Sequence, residues 1–420
     1  MTLAPAWAQQ SPPSAAPTTN IDVNALPLVR PEAQALDDFL SGLVGGLMKS
    51  ARVPGMTLVI VKGDHVLFAK GYGVAGAGGD AVDPDLTQFH FGTLSALMTD
   101  IAAMQLVEQA HILLDEDAGA ALSEKDRNVT IGDLLLGRSK ADPNLLGTVV
   151  AHVSGEPAEN YVRDHVLTPL GMSHSGYDKT GFATTAGDMG HFMLAMLNDG
   201  EYENARVLLP ATIELMERMQ FAHHPALTSL TYGFAELQRN GWHGIQRDGE
   251  ADGNQARLVM VPDSKTGYFI AINGHADASF WRGLDDALFD RLFPPRQYEE
   301  LAISSTPAPS PKEAQAATGN YAVAPEGYDI LRADPGIVTV TSRADGALLL
   351  SGAENGVALP HAGGFWRSED GNLRVAADKN HLLIDTRVYE RKEFPLSYIV
   401  LAALAALGLL AFAAWRIMRA

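Results

Sequence analysis

Cysteine is absent from all 420 residues. That excludes disulfides, thiolate metal sites and a cysteine nucleophile, and it leaves the redox compartment open. Positive charge is scarce. Against 50 aspartates and glutamates stand 31 lysines and arginines, a net charge of −19. Such a chain repels anionic surfaces over long range, and phosphate binding needs concentrated lysine and arginine, so nucleic acid is excluded as a partner. Cofactor motifs are missing as well. No G-x-x-x-x-G-K-[ST] or G-x-G-x-x-G opens a helix after a strand, so no nucleotide cofactor is expected. His223, His224, His243 and His275 are scattered and no H-E-x-x-H occurs, which reads as surface histidine rather than zinc. In "DGEADGN", Asp248, Glu250 and Asp252 alternate before Gly253 as at the start of a calcium loop. The twelfth position is Val259 where such a loop needs a bidentate glutamate, so the stretch reads as a polar loop. Neither a cofactor nor a metal is expected.

What is present is ordinary globular material, 46% hydrophobic and 19% charged. The length allows two or three domains at ~100–200 residues each. The ends differ from the body. Leu396 to Trp415, "LSYIVLAALAALGLLAFAAW", holds twenty residues without a charge. At ~1.5 Å rise per residue it spans a ~30 Å hydrocarbon core, with Tyr398 and Trp415 where amphipathic rings favour the interface. The segment is therefore expected to anchor the chain in a membrane. Arg416 and Arg419 follow it, and Arg387, Arg391 and Lys392 precede it, so charge does not decide the orientation. At the other end, Ala6-Trp7-Ala8 has the small-x-small pattern of a signal cleavage site, without a basic n-region or a full apolar stretch. "SPPSAAPTTN" reads as a flexible leader. The expected arrangement is a periplasmic or extracellular domain with a single span near the C-terminus. A tail-anchored cytoplasmic protein is the rival.

In the body, "PGMTLVIVKGDHVLFAKGYGVA" reads as a hairpin turning at Gly63, and "QARLVMVPDSKTGYFIAINGH" as another turning at Pro262-Asp263. "TTAGDMGHFMLAMLNDG" is a helix with Thr185 and Asp188 spaced as a capping box. "SGEPAENYVRDHVLTPLGM" is a further helix. After the proline-rich "SSTPAPSPKEAQ", short strands such as "IVTVTS" and "HLLIDTRVY" are split by glycine and asparagine turns, which predicts a small all-β module, a barrel or half-barrel.

Several stretches in order resemble the serine β-lactamase-like superfamily of class C β-lactamases, D-alanyl-D-alanine carboxypeptidases and esterases. They are the first hairpin, "FHFGTLSALMTDIAAMQLVEQAHILLDED", "VTIGDLLL", "LLGTVVAHVSGEPAENYVRDHVLTPLGM", "TTAGDMGHFMLAMLNDG", "YGFAEL" and "LVMVPDSKTGYFIAING". The resemblance implies an α/β (α+β) fold, an antiparallel sheet flanked by helices, over residues 31–300. Around it stand a leader (1–30), a linker (301–315), the β module (316–393) and the terminal span with its tail (394–420). It also implies acyl transfer: a serine at a helix N-terminus, a lysine one turn on, a tyrosine from a second loop and a K-T-G or H-x-G wall strand, with backbone N–H groups stabilising the oxyanion.

Here the pattern F-x-x-G-S-x-x-K places Thr93 at the serine and Ala96 at the lysine. A threonine hydroxyl is hindered by its methyl and needs a partnered base, which alanine does not supply. Slipping the register to Ser95 puts Met98 three residues on, which accepts no proton. Thr93 is therefore read as a helix cap. The tyrosine segment is cut short: "VTIGDLLLGRSKADPNLLG" contains no Y-x-N, and Lys140 is its nearest cation. In "RDGEADGNQARL", Asp248 stands for the basic or polar wall group, with Gly249 and Gly253 retained. That inverts the charge expected for holding a carboxylate. The literal Lys265-Thr266-Gly267 falls one strand too late. The expectation is a membrane-tethered member of this superfamily, without catalysis, binding a cell-wall-derived ligand or an envelope protein. The alternative is a divergent serine-type hydrolase attacking through Thr93 or Ser95.

Overall fold

The computed structural model describes residues 31–76, 78–120, 129–138, 144–251, 253–296, 306–324, 336–352, 354–369 and 371–392. The Leu396–Trp415 segment, Ala6-Trp7-Ala8, Lys140 and Asp252 lie outside them. Among the described residues no helix is long and apolar enough to cross a membrane.

The first hairpin forms as its pattern predicts. Strands Gly55–Lys62 and His65–Gly73 pair antiparallel, and Gly63 takes φ 65° at the turn, a conformation glycine enters without a Cβ penalty. Asn254–Val261 and Thr266–Ile272 form the second hairpin. Its last strand pairs with Gly55–Lys62. The strands Trp242–Ala251, Phe234–Arg239 and Leu230–Thr231 extend the sheet to seven.

Side chains alternate across this sheet and so divide between two cores. Val59 and Val61 face a helical layer built on the helices Ala96–Glu108 and Ala186–Leu197. Leu58 and Ile60 face the opposite layer, with the helices Pro31–Ala51 and Ala278–Leu292. Helix Ala96–Glu108 is apolar nearly all round, as befits a helix enclosed by protein. Thr185 caps Ala186–Leu197 by accepting from the Asp188 N–H. The return half of the predicted box does not form. The Asp188 carboxylate accepts instead from the His174 N–H and the Ser175 hydroxyl, pinning the neighbouring loop.

The C-terminal module is a closed eight-stranded antiparallel barrel, Gly319–Val323 through Arg387–Arg391. Closure removes the open edges that a half-barrel would leave. Tyr321, Trp366 and Tyr389 fill its interior with aliphatic side chains. The tail of the proline-rich stretch is not extended: Pro311–Ala316 is a short helix, its capping box made by Ser310 and Glu313, and Ala314 packs into the barrel core. The barrel docks on the larger domain through Phe365 and Ala376 against Ala226 and Leu227.

Candidate acyl-transfer site

Two glycines decide how closely the wall strand meets the candidate nucleophile. Gly92 has φ 51° and pairs its backbone, in parallel sense, with Glu250. A Cβ there would lie 2.0 Å from the Glu250 carbonyl oxygen. A Cβ on Gly249 would lie 2.4 Å from the Phe91 carbonyl oxygen. Only glycine tolerates either approach, so the strand Trp242–Ala251 lies hard against residues 91–94.

This contact engages Thr93. Its hydroxyl donates to the Asp248 carbonyl oxygen at 3.1 Å. The capping role predicted for it is not observed. Residues Thr93–Ser95 form a single 3-10 turn ahead of the helix, and neither Gly92 nor Ser95, the two N-cap positions, makes a side-chain cap. Among the described residues, no lysine, tyrosine or histidine side chain hydrogen-bonds to the Thr93 hydroxyl. Among the described residues its hydroxyl thus donates to a backbone carbonyl and is bonded to no basic side chain. Ser95, half-buried, is the adjacent hydroxyl on the same turn.

Beyond Ala96, one helical turn on, sits Asp100, 5% exposed. Its partner is Arg247 of the wall strand, 1% exposed. Arg247 Nη1 donates to Asp100 Oδ2 at 2.5 Å and to the Gly233 carbonyl at 2.7 Å. Nε and Nη2 donate to the Thr93 carbonyl at 3.2 and 2.8 Å. Burial pushes the Asp100 carboxyl above its usual value, and the Arg247 charge and hydrogen bond pull it back. A guanidinium does not deprotonate in proteins, so Arg247 cannot act as a base here.

Asp248 does not present the inverted charge expected of it. Successive strand residues face opposite sides, and Arg247 is the one that turns toward the Thr93 helix. The Asp248 carboxylate, 8% exposed, accepts from Arg257 Nε at 2.8 Å and Nη2 at 3.0 Å. Arg257 Nη1 reaches Asp285 at 2.9 Å, which also accepts from the Tyr268 hydroxyl. Burial, then the Asp285 charge, push that hydroxyl well above the usual tyrosine range. The negative charge of Asp248 is thus neutralised inside a buried network. Lys265-Thr266-Gly267 lies at the far end of the sheet, where Thr266 faces Val261 while Arg247 faces Leu258.

Two neighbours escaped sequence reasoning. Tyr177, on the small sheet beside the site, hydrogen-bonds to Thr99, and burial raises its hydroxyl to about 12. His90, just before the turn, meets Asp178 at 3.0 Å and Thr180 at 2.7 Å, both through Nε2. One ring nitrogen serving both partners cannot relay a proton between them. For Tyr177 no Y-x-N signal exists. For Asp100 the signal was a lone acid inside an apolar helix.

The family model described as Beta-lactamase matches residues 40–293, well over half of the chain. The chain belongs to the Beta-lactamase family. Penicillin-binding protein 4 of Amycolatopsis lactamdurans is 26% identical over 347 residues, covering 61% of this chain and 90% of that protein. PbpX of Bacillus subtilis (strain 168), whose name marks its penicillin-binding assignment as provisional, is 24% identical over 162 residues. That match covers 30% of this chain and only 41% of PbpX. Among solved structures, the octameric penicillin-binding protein homologue from Pyrococcus abyssi superposes with a TM-score of 0.53 at 17% identity, over 84% of this chain and 99% of that one. At that identity the likeness is one of fold.

Proposed function

We propose that this Beta-lactamase family chain is a catalytically silent, membrane-tethered binding protein of the cell envelope. One observation carries the reading: the Thr93 hydroxyl is bonded to a carbonyl, and the cation at its helix end is an arginine locked to Asp100. Acyl transfer needs a group that takes the hydroxyl proton and returns it to the leaving group. Removing the nucleophile or base of a serine protease costs a factor of about a million, so surviving oxyanion donors leave no useful rate. The fold is retained, which suits recognition of a cell-wall-derived ligand or an envelope protein without turnover. The test is incubation of the full-length chain with a fluorescent β-lactam and with nitrophenyl esters. No covalent label and no burst of nitrophenol are expected.

The competing reading is a divergent serine-type hydrolase. The close backbone approach of Gly92 and Glu250 favours it, because a helix N-terminus beside a strand edge is where oxyanion donors are found. Under that reading Thr93→Ala or Ser95→Ala abolishes a measurable activity.

Tethering rests on the uncharged run Leu396–Trp415. The chain is expected to stay with membranes through alkaline carbonate extraction and to be released when residues after 393 are removed. Release of the intact chain by carbonate rules the tether out.

A further inference from the structure

A cavity of about 1030 Å³ lies between the larger domain and the barrel, at the top of the ~300–1,000 Å³ range of small-ligand sites. One wall is the strand Trp242–Ala251 with its neighbours and the start of helix Ala278–Leu292. The other is one side of the barrel. The Thr93 hydroxyl does not line it.

The lining is acidic. Nine carboxylates stand against five arginines, an excess of four negative charges with His275 neutral. Three of the arginines are engaged: Arg257 by Asp248 and Asp285, Arg239 by Asp286 and Arg387 by Glu354. The excess stands even with Arg282 and Arg343 counted as compensating, although neither pairs with a carboxylate among the described residues. Acids without a lysine or arginine partner among those residues lie on both walls: Glu250 and Asp277 on the larger domain, Glu369 on the barrel. Asp277 caps its helix through Oδ1, accepting from the Ser279 and Phe280 N–H groups and the Ser279 hydroxyl. The Ser279 hydroxyl first, then the Phe280 N–H, hold its carboxyl below the usual carboxylate range. It is therefore anionic at neutral pH, with Oδ2 left to accept from a ligand.

A second observation is independent of charge. Thr228, 5% exposed, lines the cavity next to Ala226 and Leu227, where the barrel docks. Its Oγ1 makes no hydrogen bond among the described residues. A buried hydroxyl without a partner is costly, and this one can accept from a donor that enters. Apolar surface completes the lining, from Trp281 on the helix and from Val357 and Leu359 of the barrel, 40% and 36% exposed.

Carboxylates on both walls, a hydroxyl short of a partner and an apolar strip together describe one ligand chemistry. We propose that this cavity binds an aliphatic diamine or polyamine, with ammonium groups on Asp277 and Glu250 at one wall and on Glu369 at the other. Thr228 Oγ1 accepts a further N–H. The methylenes lie on Trp281, Val357 and Leu359, as a lysine stem covers apolar surface. An anionic ligand would add to the surplus negative charge. A metal ion fits less well, since no group of three acids or histidines among the described residues could hold one. The site goes beyond the silent-scaffold reading and does not depend on it. A β-lactam adduct on Thr93 ends that reading and leaves this one standing.

The test is titration calorimetry of the full-length chain in a neutral detergent. Physiological salt is needed, because a chain of net charge −19 attracts any polycation loosely. The probes are 1,6-diaminohexane, 6-amino-1-hexanol and 1,6-hexanediol, which lose one ammonium at each step at constant length. The diamine is expected to bind, the amino alcohol about tenfold more weakly, and the diol not at all. Asp277→Asn keeps the helix cap, and Glu369 is an exposed side chain. Asp277→Asn and Glu369→Gln are each expected to weaken the diamine about tenfold, and Thr228→Val about threefold. Failure of the diamine to bind, or equal binding of diamine and diol, overturns the proposal. So does a diamine affinity indifferent to both Asp277→Asn and Glu369→Gln, which would mark loose attraction to the net charge.

Discussion

Asp100 and Arg247 hold the residue-scale argument. A buried ion pair gains little over well-packed apolar residues, yet removing one partner strands the other in low dielectric. Asp100→Ala is expected to destabilise by about 3–5 kcal/mol in denaturant titration, while Asp100→Leu with Arg247→Met recovers most of that loss. An equal loss in the double variant would mean that Arg247 matters for its bonds to the Thr93 and Gly233 carbonyls instead. Glu217 offers a test by pH. Burial first, then the charges of Asp199, Asp263 and Glu214, raise its carboxyl from 4.5 to about 7. The folded chain thus holds a proton that the unfolded chain releases. Its contribution to stability is complete below about pH 4.5 and is lost as pH rises through about 7. Glu217→Gln is expected to raise Tm relative to wild type more at pH 8 than at pH 4.5. Equal shifts at both values would place the carboxyl in an ordinary environment.

At the scale of elements, the hairpins, the capped helix and the chain of short C-terminal strands were legible because period and turn chemistry are local. The site was legible only by default, as places where Ser, Lys and Y-x-N do not stand. What replaced them is a pairing 147 residues apart, which no local pattern encodes. The strand supplied the missing clue in its alternation: Asp248 and Arg247 must face opposite ways, so only one of them can turn toward Thr93. The same strand depends on Gly249. Gly249→Ala sets a methyl 2.4 Å from the Phe91 carbonyl oxygen and 2.7 Å from Leu94 Cβ. The strand must back away, at a cost of about 1–3 kcal/mol. A drop in Tm is the readout, and an unchanged Tm would mean that the strand is not pressed against the turn.

For the whole molecule, the docking of the barrel is the feature composition could not reveal. Phe365 is fully buried between Ala226, Leu227 and the barrel residue Ala376. Arg374 Nη1 donates to the Ala226 carbonyl at 3.4 Å, and the Asn240 N–H donates to Asn372 Oδ1 at 3.3 Å. Phe365→Ala is expected to cost about 3–5 kcal/mol and to make the chain more susceptible to protease. A variant as resistant as wild type would show that the barrel is held by other contacts. Whether the enclosed domain turns over substrate is decided at one atom. Intact-mass spectrometry of the full-length chain after long exposure to excess penicillin measures it directly. No added mass is the result that the proposed silent reading predicts, and a penicilloyl group mapped to Thr93 or Ser95 would contradict it.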